Sequence, residues 1–92
     1  MTSAPPFYRH ARDGFVFELP AADATALKSM PDFEGREEPA VAEEFLRFRA
    51  ETWADQLSAA GARPGTVLVR LEPRQRKVRL LSGETLLFTA DI

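Results

Sequence analysis

The feature that most constrains this chain is a change of period. From Pro39 to Ala60 apolar residues recur every 3.6 positions, and from Thr66 onward they alternate. Val41, Phe45, Leu46, Phe48, Ala50, Trp53, Leu57 and Ala60 predict one long amphipathic helix whose stripe is widened by Phe45 and Phe48. Pro39 suits its first turn, Glu43 and Glu44 complement its positive end, and Gly61 with Pro64 stops it. Glu43 with Arg47, and Arg47 with Glu51, stand at i, i+4 on its wet side.

After the helix, Val67, Val69 and Leu71 alternate with Leu68, Arg70 and Glu72, the pattern of a strand with one buried face. A four-residue loop, Pro73 to Arg76, pairs Glu72 with Lys77, Leu71 with Val78, Val69 with Leu80 and Leu68 with Leu81. A three-residue loop, Ser82-Gly83-Glu84, then sets Leu80 opposite Leu86 and Val78 opposite Phe88, which assigns Leu86, Phe88 and Ala90 to the core face.

Ahead of the helix, Asp13-Gly14 stands between two β-prone runs, and both residues tolerate the positive φ of a tight hairpin turn. That loop pairs Arg12 with Phe15, His10 with Phe17, Arg9 with Glu18 and Tyr8 with Leu19. Pro20 ends the second strand, Ala21 to Met30 reads as a short helix using Leu27 and Met30, and Pro31 to Glu38 reads as an acidic loop. The expected fold is α+β, in the order β-β-α-α-β-β-β. An antiparallel sheet of N-terminal hairpin and C-terminal meander carries the long helix, with Phe15, Phe17, Leu19, Phe45, Trp53, Leu57, Val69, Leu80 and Phe88 in one core. With 92 residues the chain holds one such domain, residues 7–92, preceded by a flexible arm at residues 1–6.

Composition narrows the function classes. No apolar run reaches the ~18 residues of a membrane helix, and Met1 to Pro6 lacks a secretory plan, so a cytoplasmic protein is expected. The absence of cysteine excludes disulfides, thiolate metal sites and cysteine nucleophiles. Net charge is −2, but residues 13–56 hold eleven acids against four bases, whereas residues 63–80 hold six bases against Glu72. Such segregation suits docking to a partner or mutual neutralisation within one molecule.

Residues that could carry chemistry are sparse. His10 has no identifiable orienting partner for base catalysis, and one histidine cannot assemble a zinc site. Asp32, Glu34, Glu37 and Glu38 lack the spacing of a calcium loop, and Gly61 to Thr66 lacks the lysine and the following helix of a phosphate loop. Ser3, Ser29, Ser58 and Ser82 show no nucleophile-elbow setting. No motif ties the chain to a family, and neither an enzyme nor a cofactor is expected.

Two surfaces remain. Arg70, Arg74, Arg76, Lys77 and Arg79 form a basic meander that could contact nucleic acid, although residues 62–84 contain no aromatic ring for base stacking. Leu68, Leu81 and Leu87 are expected on the sheet face away from the helix, beside Arg70 and Arg79, as the interface of a protein-binding or regulatory module that self-associates, a homodimer. Nucleic-acid binding is the second reading, and a catalyst with a site invisible in sequence is the third.

Overall fold

The computed structural model describes residues 7–92; the arm expected at residues 1–6 lies outside them. Strands β1 (Phe7–Arg12) and β2 (Phe15–Pro20) form the N-terminal hairpin, followed by α1 (Ala21–Lys28), a 3₁₀ turn (Pro31–Phe33) and α2 (Glu38–Ala59). Strands β3 (Thr66–Glu72), β4 (Lys77–Ser82) and β5 (Thr85–Asp91) complete one sheet of order β1-β2-β3-β4-β5. The hairpin turn holds Asp13 at φ 52° and Gly14 at φ 86°, and every pair expected across β1 and β2 is present.

The sheet is mixed, not wholly antiparallel, because β2 and β3 run parallel through Val16↔Thr66, Phe17↔Val67 and Glu18↔Leu68. The reason is topological: α1 and α2 form a crossover that returns the chain to the end of the sheet from which β2 started. Across β3 and β4 the register is the expected one, including Arg70 opposite Arg79.

The last hairpin departs from expectation. Its loop has two residues, Gly83 and Glu84, with Ser82 opposite Thr85 and Leu81 opposite Leu86. Gly83 takes φ 61°, as the first position of a two-residue hairpin loop requires. Left uncorrected, that loop would turn Phe88 to the wrong face. The register therefore shifts between Leu80 and Leu81, so that Leu80 meets Phe88 and Val78 meets Ala90, with Leu87 as the extra residue of a bulge.

Phe15, Phe17, Leu19, Val67, Val69, Leu71, Val78 and Leu80 form the inner sheet face and join Ala24, Leu27, Met30 and the α2 stripe in one buried cluster. Phe17 and Phe45 both pack on Trp53, with ring centroids 5.5 Å and 5.8 Å away. The α2 stripe runs through Val41, Ala42, Phe45, Leu46, Ala50, Trp53, Ala54 and Leu57. Phe48 is not part of it: Phe48 is 65% exposed and lies under the Arg47 guanidinium. Its place is taken by alanines, which let the helix approach the sheet closely, and by Arg49, stacked 4.2 Å from the Phe45 centroid. Burial lowers the Arg49 pKa. Phe88 is half-buried, because β5 is an edge strand and lies at the margin of the cluster.

Candidate functional site

The pairing register places side chains on the outer sheet face in rows, since partners across a sheet share a face. One row crosses all five strands: Arg9, Glu18, Leu68, Leu81 and Leu86. The next holds Arg70, Arg79 and Thr89, and the one beyond it Glu72, Lys77 and Asp91. The leucines expected together at 68, 81 and 87 are therefore Leu68, Leu81 and Leu86. Leu87 is displaced by the bulge and packs against the core, whereas Leu86 is 51% exposed. The signal for this was the favoured two-residue loop at Gly83; what sequence reasoning missed was that a bulge can reconcile that loop with the buried pattern.

The basic meander is largely paired within the chain. Arg79 Nη2 lies 2.6 Å from Glu72 Oε1, Arg76 Nη2 lies 3.1 Å from Asp32 Oδ2, and Lys77 pairs with Asp91, its cross-strand neighbour. Arg70 Nε lies 2.8 Å from Oδ2 of Asp23, a nearly buried carboxylate of α1, although the two are not aligned as a hydrogen bond. Strand β2 ends at Pro20, level with the middle of β3, so the first turn of α1 takes its place beside Arg70. Of the five cations of the meander, only Arg74 has no ion-pair partner among the described residues. Two of the four partners, Asp23 and Asp32, come from the acidic segment, so the charge segregation of the sequence is partly resolved inside one molecule.

A second carboxylate ties the layers together. Glu38 at the start of α2 accepts hydrogen bonds from the Tyr8 hydroxyl, at 2.8 Å, and from the Thr25 hydroxyl. Those donors, Thr25 first, hold its pKa below the ordinary carboxylate value, while burial and then Glu38 itself raise that of Tyr8. The role is architectural: one carboxylate joins β1, α1 and α2. His10, opposite Phe17, accepts and donates no side-chain hydrogen bond among the described residues.

Besides a hollow of about 330 Å³ at the β3–β4 turn, lined by Glu72, Pro73, Arg74 and Gln75, two hollows flank the sheet. One of about 350 Å³ lies beside the start of β3 and β5, lined by Arg63, Thr66, Ser82, Thr85 and Leu87 among others, with no carboxylate or imidazole in its wall. The other, about 320 Å³, is on the outer face between Arg70, Glu72, Arg79 and Leu81. Among the described residues no three histidines, aspartates or glutamates converge as metal ligands, and no helix is long and apolar enough to cross a membrane.

The fold and this surface define a class: an α+β domain with a five-stranded mixed sheet, helices on one face and an apolar row bracketed by ion pairs on the other. No known protein family, curated protein or solved structure matches the chain.

Proposed function

We propose that this protein is a non-catalytic binding module whose working surface is the outer sheet face. The observation that supports this reading is the leucine row: half-buried Leu68 and Leu81 and exposed Leu86 stand side by side on three adjacent strands, on the face opposite the helices. Aligned apolar side chains flanked by arginines resemble an interface core with a polar rim more than a solvated face. The partner chemistry is a flat apolar protein surface. A polyanion is the poorer fit, because Arg70, Arg76, Lys77 and Arg79 already lie against carboxylates that phosphates would have to displace.

The test is photo-crosslinking in cells from a benzophenone side chain placed at Leu86, with Phe48, on the opposite side of the molecule, as control. Protein adducts from position 86 that are absent from position 48 support the reading. An adduct-free position 86 overturns it. Binding of single-stranded DNA that weakens with log salt at a slope of about −0.7 per phosphate contact, and that is lost on Arg74→Ala, moves nucleic acid to first place.

A further inference from the structure

We infer that the partner of the outer face is a second copy of this chain, docked back to back about a two-fold axis lying along the leucine row. This rests on the reading above and adds the occupant and its geometry.

Charge is the first argument. The outer face carries Arg9, Arg70, Lys77 and Arg79, and each has a carboxylate of its own chain: Glu18, Asp23, Asp91 and Glu72 respectively. A face so compensated attracts neither a polyanion nor a polycation strongly, and it meets its own copy without net repulsion.

Symmetry is the second argument. In a face-to-face pair of identical sheets the two-fold axis lies in the interface plane, and its direction decides which residues meet. An axis along β3, the central strand, would lay Leu81 and Leu86 of one copy on Glu18 and Arg9 of the other, since all five share one row. An axis along the row instead sets leucine on leucine. It also turns Arg70 towards Thr66 of the opposing copy, which lies as far before Leu68 as Arg70 lies after it, and it stacks Arg9 on Arg9 and Glu18 on Glu18, each already paired with the other in its own chain.

Area is the third argument. Strands of six or seven residues at ~3.3 Å rise and ~4.8 Å spacing give a face of roughly 20 by 24 Å, about 500 Å² per copy. Two such faces bury about 1,000 Å², the lower limit of a specific interface, so the dimer is a weak, reversible one.

Sedimentation equilibrium of the purified chain tests the occupant. The expected result is a reversible monomer–dimer equilibrium, weakened about 100-fold in a Leu81→Glu, Leu86→Glu variant whose circular dichroism is unchanged. Leu86→Arg alone serves as a milder second variant. Because the chain has no cysteine, Leu86→Cys and Thr89→Cys test the axis through a short bis-maleimide. Self-crosslinking about tenfold faster at 86 than at 89 is expected, since only position 86 lies on the axis. Equal rates overturn that axis, and a dimer that survives both leucine variants overturns the surface. A purified chain that stays monomeric at millimolar concentration, while position 86 still crosslinks to a different protein in cells, overturns the second copy and leaves the binding reading standing. A monomer without adducts at 86 removes both.

Discussion

The two faces of the one sheet follow opposite rules. On the inner face the alternation delivers apolar side chains from β2, β3 and β4, with exposed Ser82 at the end of β4 the one polar exception, and α1 and α2 close them off. On the outer face the same strands deliver Glu18, Arg70, Glu72, Lys77 and Arg79, each ion-paired, and between them a leucine row that no ion pair explains. The inner face accounts for stability. The outer face carries groups whose arrangement costs specification and yields little stability in the isolated chain, since exposed ion pairs contribute about 0–1 kcal/mol each. Surface that is organised yet contributes little to folding is where binding is to be sought.

The comparison is tested most severely by truncating the inner face. Trp53→Ala removes the ring on which Phe17 and Phe45 pack and should cost about 3–5 kcal/mol in a denaturant titration. Phe88→Ala, at the half-buried margin, should cost about 1–2 kcal/mol, and equal losses would mean that β5 belongs fully to the core. Next comes the turn that sets the first hairpin. Gly14→Ala meets a positive φ of 86° and places its Cβ 3.1 Å from that of Pro64, so a loss of about 1–2 kcal/mol is expected in thermal unfolding.

On the outer face the expected effects are smaller. Asp23→Asn should cost about 0.5–1 kcal/mol, less in high salt, because Arg70 remains half-exposed to solvent. Leu86→Glu should change the stability of the monomer by less than about 0.5 kcal/mol, and a loss comparable with Phe88→Ala would return Leu86 to the core. The smallest effect is in pH dependence. The Glu38 carboxyl is held below its ordinary value in the folded chain, so its contribution is complete above that value and fades as pH falls through the depressed one. The stability gap between the wild type and Glu38→Gln should therefore close in acid; a gap independent of pH would show that the charge of Glu38 contributes nothing.

Local information was enough for most of the fold. The Asp13-Gly14 turn, the β1–β2 pairing, the extent of α2 and the β3–β4 register were all legible, because each depends on periods and turn residues within about twenty positions. Phe48 was misplaced because period alone does not say which of two adjacent stripes a helix presents to its sheet. The parallel pairing of β2 with β3 was hidden for a related reason: the direction in which a crossover returns is set by how α1 and α2 pack, not by any residue near the strands.

The outer surface shows the division most sharply. Sequence alone determined that Leu68 and Leu81 stand together beside opposed Arg70 and Arg79, since a hairpin's loop dictates its register. Only the tertiary structure decided that Leu86 replaces Leu87, because the bulge trades one local preference, the short loop, against a non-local one, the burial of Phe88 beside Leu80. Only the tertiary structure, too, decided that Arg70 is neutralised by Asp23 and Arg76 by Asp32, forty-seven and forty-four positions away. Periodicity encodes which face a side chain takes within its own element, whereas the charge it meets there depends on what another element brings, and that is settled only when the layers close.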